Sequence, residues 1–92
     1  MLSDDRRNQI MLRVKPLFHQ IDPDLLLLDV LLDSTRTQLL FILQKMEWPL
    51  VITMEWLDYV SQRDPDLEQR FKTAIHNREE AARKRLVAEE EV

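Results

Sequence analysis

Between Leu25 and Leu43 the chain carries two apolar runs, LLLLDVLL and LLFIL, separated by the polar step Asp33 to Gln38. Leu25, Leu28, Leu32, Thr35, Leu39, Ile42 and Met46 alternate steps of three and four. This heptad-like seam passes through the polar step and predicts one continuous or mildly bent helix over 23–47. The competing pattern takes Asp33 or Ser34 as a new N-cap, with a shorter helix on either side.

Upstream, Ser3 followed by Asp4 and Asp5 reads as an N-cap with acids in the first turn, and Ile10, Val14, Leu17, Phe18 and Ile21 fall at helical spacing. This predicts a first helix over about 4–20, with a kink or stop near residue 15, because Pro16 has no N–H for the carbonyl of Leu12. Asp-Pro-Asp-Leu occurs at 22–25 and again at 64–67. In each copy aspartate, then proline, then aspartate matches the start of a helix. The residues after the two copies do not match, so the motif is a start signal used twice and not a duplicated domain.

Trp48 precedes Pro49 and is pushed toward extended geometry, which ends the second helix there. Ile52, Trp56, Tyr59 and Val60 then suit a third helix of two to four turns, starting at Pro49 or, with Thr53 as cap, at Met54. Leu50 to Ile52 alone would make a short strand, but no second strand is apparent to pair with it. A fourth helix runs from Pro65, with Leu67, Phe71, Ala74 and Ile75 as its apolar stripe. Its distal half carries the i,i+4 pairs Glu79–Arg83 and Glu80–Lys84 and reads as a solvated extension. The expected architecture is therefore an all-α, up-and-down helical bundle of three to five helices with a charged C-terminal helix extension. It forms one domain over 1–88, with a frayed acidic tail over 89–92.

Composition narrows the chemistry. The 92 residues include no glycine and no cysteine. The first absence removes phosphate-cradling loops and Asn-Gly or Asp-Gly hairpins, and the second removes disulfides and thiolate zinc sites. A net charge of −4 disfavours nucleic acid as the main partner, since that binding rests on neutralising phosphates. No uncharged stretch approaches the ~20 apolar residues of a membrane span, and acids stand where a signal peptide would carry its apolar core. A cytoplasmic protein without membrane contact is the default expectation.

His19 and His76 belong to no metal-binding spacing, so no metal and no cofactor is expected. Serines 3, 34 and 61 lack a nucleophile elbow, and Glu55 and Asp58, though on one face of the third helix, have nothing that indicates desolvation. The residues give no feature in favour of an enzyme. Arg78, Arg83, Lys84 and Arg85 gather in the last helix but are interleaved with Glu79 and Glu80.

Asp33-Ser34-Thr35 followed by a helix resembles the acyl carrier proteins, whose Asp-Ser-Leu serine carries phosphopantetheine at a helix start. The resemblance implies modification at Ser34, although threonine stands third here and the following segment, 35–46, contains no acid. IDPDLLLLDVLL and then STRTQLLFILQKM resemble the second and fourth helices of caspase-recruitment domains of the death fold. That fold needs six helices, and no residues remain between Leu32 and Ser34 for its third.

The leucines leave an excess. Leu26, Leu27, Val30, Leu31, Leu40, Phe41 and Leu43 add to the seam, so the second helix would be apolar on most of its circumference and would need cover nearly all round. Leu28 to Leu32 also fits the LxxLL pattern of groove-docking helices, a match that so many leucines make almost inevitable. The function this predicts is non-enzymatic protein–protein interaction through surplus apolar surface on the second and third helices. The chain would act as a homodimer or as a small regulatory or adaptor subunit of a larger assembly. Leu26, Leu40, Phe41, Trp48 and Trp56 are the expected contact residues, the tryptophans because that residue is enriched at hot spots.

Overall fold

The structure, a computed structural model, describes residues 2–90, and side chains as far as Arg85. Its element order is α1 (Asp4–Ile21), β1 (Leu25–Asp33), β2 (Gln38–Lys45), β3 (Trp48–Glu55), α2 (Trp56–Ser61) and α3 (Asp64–Glu90). The three strands form one antiparallel sheet in the order β1-β2-β3. The chain is therefore an α+β fold and not the all-α bundle of three to five helices that the apolar spacing predicts.

The expected helix over 23–47 is a β-hairpin, and the expected third helix is β3 followed by the single short helix α2. The physical reason lies in the excess of leucine. A segment apolar at nearly every position satisfies a period of two as well as one of 3.6, so periodicity does not decide between strand and helix. Leu39, Phe41 and Leu43 share one face of β2 and are fully buried, while Gln38, Leu40, Ile42 and Gln44 point the other way. Leu50 to Ile52 has its pairing partner after all: Phe41 lies opposite Ile52, and Leu43 opposite Leu50.

Glycine's absence does not prevent the turns. Asp33 Oδ1 accepts from the N–H groups of Thr35 (3.1 Å) and Arg36 (3.3 Å), which shapes the β1–β2 loop. Thr37 at its end takes φ 52°. The β2–β3 loop is the two residues Met46 and Glu47, with Met46 at φ 56°. A positive φ at the first of two loop residues is the arrangement for which glycine is usual. Each non-glycine residue held there costs roughly 1–2 kcal/mol, which pairing on both sides offsets.

The first Asp-Pro-Asp-Leu does not open a helix. Asp22 caps the end of α1, with its N–H on the Phe18 carbonyl at 3.0 Å. The Asp22 carbonyl then accepts from Leu25 at 3.0 Å, closing a turn with Pro23 at its second position. The second copy does open a helix, α3, with Leu67 N–H on the Arg63 carbonyl at 2.9 Å. Proline with flanking aspartates suits both roles, and the segment downstream of each copy decides between them: a hairpin in one case, an amphipathic helix in the other. α1 stands where its pattern places it and runs on through Pro16. The backbone of α3 is helical to Glu90, and the remainder of the tail expected to fray, Glu91 and Val92, lies outside the described residues.

α1 and α3 both pack on one face of the sheet. Phe18 of α1, Phe41 of β2 and Phe71 of α3 meet there, with Phe18 and Phe71 stacked at 4.3 Å and Phe41 edge-on to Phe71 at 5.1 Å. Val14, Leu39, Leu43 and Leu67 are fully buried around them. At one end of the helices Arg13 of α1 donates to the carbonyls of Tyr59 (3.2 Å) and Gln62 (2.7 Å) and to Asp64 (3.0 Å), tying α1 to the α2–α3 junction. At the far end of β2, Lys45 lies between Asp22 (2.8 Å) and Glu79 (3.2 Å). The Lys45 ammonium, with help from the Asp24 N–H, holds the Asp22 carboxyl below its ordinary value; Asp22 and then Glu79 raise Lys45 above its own.

The loop strain and the Lys45 ion pair can each be measured. Met46 is exposed, so Met46→Gly relieves the positive φ without loss of packing and raises stability by about 0.5–1 kcal/mol, read as a higher melting temperature. Asp22, depressed in the folded state, stabilises above the unfolded carboxylate pKa of about 4, and that contribution is lost as pH falls through the lower folded value. The gap in urea midpoint between wild type and Lys45→Met therefore narrows steadily below about pH 4.

Candidate functional site on the uncovered face of the sheet

The strand registers sort every residue of the sheet to one face or the other. Leu25, Leu27, Val30 and Leu32 of β1 join Leu39, Phe41 and Leu43 of β2 and Leu50, Ile52 and Met54 of β3 beneath the helices. A bulge at Leu28, between the Leu27–Leu43 and Asp29–Ile42 pairs, shifts the alternation by one and keeps Val30 and Leu32 inward. The opposite face then presents Leu26, Leu31, Leu40, Ile42 and Val51, with Thr53 beside Leu40 and, paired with Ile42 at the β1 edge, Asp29, whose carboxylate turns to Arg7. No residue of that face is buried, whereas Leu39, Phe41 and Leu43 on the other side are inaccessible.

The face has an apolar middle and polar ends. At one end Gln38 donates to Glu55 at 3.2 Å with Asp33 alongside, and at the other Gln44 donates to the Met46 carbonyl at 2.7 Å beside Pro49. From strand spacing and rise, three strands of eight residues make a platform of ~14 by ~26 Å. The five apolar side chains occupy the middle part of that area; on soluble proteins exposed apolar patches of a few hundred Å² are often functional. The two outer strands differ. β3 carries Pro49, and its Val51 carbonyl accepts from Arg78 of α3 at 3.2 Å, so that edge is blunted. β1 is the longer strand, with no proline or lysine in it.

The five contact residues expected from the sequence do not form one surface. Leu26 (56% exposed) and Leu40, half-buried, lie on the uncovered face. Phe41, next to Leu40 in sequence, points inward and is fully buried among Phe18 and Phe71. Trp48 is 71% exposed at the start of β3, on the helix side, against Arg78 and Arg83 of α3 in a cleft of about 460 Å³. Trp56 opens α2 and is half-buried between the Arg6 guanidinium at 5.7 Å and the Tyr59 ring at 5.8 Å, so it joins α2 to α1. The apolar surface lies on strands and not on a second and third helix, and it includes Leu31, which the helical pattern counts only as surplus, Ile42, which that pattern places in the packed seam, and Val51, which it leaves out. A period of two within β2 and β3 groups Ile42 with Leu40 and sets Val51 apart from Ile52, but Leu31 follows only from the bulge at Leu28, which no alternation in the sequence shows.

Ser34 stands in the β1–β2 turn, exposed, and no helix starts after it, so the geometry behind the acyl carrier resemblance is absent. The sheet likewise replaces the helices behind the death-fold resemblance. The shallow cleft at Ser34, with Arg6, Thr37 and Trp56, has no histidine or carboxylate in its lining. Among the described residues no three potential ligands for a metal ion come together. Asp22 and Lys45, whose pKa values are shifted, sit in ion pairs that join elements and not in a cleft that could take a substrate. Among the described residues no helix is long and apolar enough to cross a membrane.

An exposed platform of this kind binds an environment-sensitive anilinonaphthalene sulfonate dye in the native state. The pair Leu40→Asp and Ile42→Asp removes most of that fluorescence, while the melting temperature changes by only a few degrees, about 4, because neither side chain lies in the core. Comparison with protein-family models, with curated proteins and with solved structures finds no match to this chain.

Proposed function

We propose that this chain is a non-enzymatic protein–protein interaction module, a homodimer or a small regulatory or adaptor subunit of a larger assembly, that engages through the uncovered face of its sheet. The observation that carries the reading is that one face holds the entire core while the other, with Leu26, Leu31, Leu40, Ile42 and Val51, has no residue buried. Covering such a platform removes apolar surface from water at about 25 cal/mol per Å². The polar ends suit a rim that stays wet around an apolar centre.

The test places a photo-crosslinking amino acid at Leu31 on the face and, separately, at Lys72 on the exposed side of α3, in the native host, with sedimentation equilibrium on the purified chain. The reading expects a discrete adduct from position 31 and none from position 72. If the adduct is a second copy, Leu40→Asp also turns a dimer into a monomer. A chain that stays monomeric at every concentration and crosslinks to nothing from position 31 overturns it.

A further inference from the structure

A second surface adjoins the uncovered face and differs from it in chemistry. Between α1 and the outer edge of β1 runs a groove of about 650 Å³. Its helix wall is Leu12, Lys15, Pro16 and His19, and its strand wall is Leu26 to Leu28. Leu12 is 76% exposed and Leu28 is 52% exposed, so apolar side chains on both walls are open to water.

We infer that this groove receives an extended, apolar segment carrying carboxylates from a partner protein, which lies along β1 as a fourth strand. The shape is the first reason. A groove bounded by a helix on one side and a free strand edge on the other fits an extended chain, which gains main-chain hydrogen bonds from the edge and sets alternate side chains into the groove. The second reason is the contrast between the edges: β3 is blunted by Pro49 and by Arg78 on the Val51 carbonyl, whereas β1, bulged at Leu28, carries neither proline nor lysine and has no side chain on a carbonyl of Leu26 or Leu27 among the described residues, so added strands are directed to β1. Within β1 the Leu25 N–H is held by the Asp22 carbonyl at 3.0 Å, and the Asp29 carboxylate accepts from the Val30 N–H at 2.8 Å and from Arg7 at 3.5 Å, so the unengaged part of the edge is Leu26 to Leu28. That part is the one the groove flanks.

Charge supplies the sign. The ionisable residues lining the groove are Lys15 and His19, both exposed on α1, and no acid lines it. The neighbouring cation Arg7 is already taken by Asp29 and Asp4. Asp22 is engaged by Lys45, and Asp24, exposed before β1, would repel carboxylates placed at that end. The complementary occupant is thus an extended segment with apolar residues at alternate positions and aspartate or glutamate facing the Lys15 and His19 wall.

The probe is an acetylated eight-residue peptide of alternating valine and aspartate, titrated into the isotope-labelled full chain and followed by amide shifts and hydrogen exchange. A valine–lysine peptide of the same length serves as control. The expected result is slowed exchange confined to Leu26–Leu28, with shifts in Leu12–His19, for the aspartate peptide only. Lys15→Glu with His19→Glu weakens that binding by about tenfold or more and transfers preference to the lysine peptide. Leu40→Asp, on the uncovered face, leaves binding unchanged, so loss of the groove and loss of the face are read separately. Equal binding of both peptides, binding of neither, or shifts centred on Leu40, Ile42 or the β3 edge overturns the inference. So does blockage of the groove by a second copy of the chain, seen as concentration-dependent protection of Leu26–Leu28 without peptide.

Discussion

The stacking of Phe18 on Phe71, with Phe41 edge-on to Phe71 beneath them, is the contact on which the rest of the structure depends. It is the point where α1, α3 and the central strand meet, and each ring is at most 1% exposed. Burying three phenylalanines contributes on the order of 2–3 kcal/mol apiece, with further gain from their mutual geometry. It also fixes direction. Phe41 must face the helices, so Leu40 and Ile42 must face away, and antiparallel pairing carries that choice to Leu31 on β1 and Val51 on β3. The uncovered apolar face is a consequence of where one aromatic ring is buried.

Polar contacts hold the ends of the elements that this core leaves loose. Arg13 satisfies two carbonyls at the α2–α3 junction while its guanidinium covers the Tyr59 ring at 4.8 Å. Lys45 ties the end of β2 to the turn after α1 and to α3 through two carboxylates. These side chains are partly exposed, and their contribution is geometric more than energetic, since solvent screens pairs of this kind. The hairpins likewise accept strain at Thr37 and Met46 in place of glycine, which is sustainable only because both strands of each turn are paired along their length.

A two-layer domain with both large helices on one side of its sheet leaves the other side to water or to a partner. In this chain that side is apolar in the middle and polar at its ends, and it continues around the edge of β1 into the groove beside α1. The two surfaces share Leu26 but ask for different partners: the platform for apolar cover, the groove for an extended segment bearing carboxylates.

The first helix, the proximal half of the last and its start at 64–67 were legible in the order of residues, because caps, prolines and aspartates act over a few positions; the same residue types at 22–25 and 33–37 read as helix signals and instead make the turns before and within a hairpin. Leucine abundance was legible too. The state of 25–55 was not. Leucine favours helices and packs equally well in strands, and a run apolar on both faces carries no period to read. That segment became a sheet through long-range pairing of β1 with β2 and β2 with β3, sealed by Phe18 and Phe71 from distant parts of the chain. Only tertiary structure supplied those partners, and with them the decision that Phe41 is core while its neighbour Leu40 is surface.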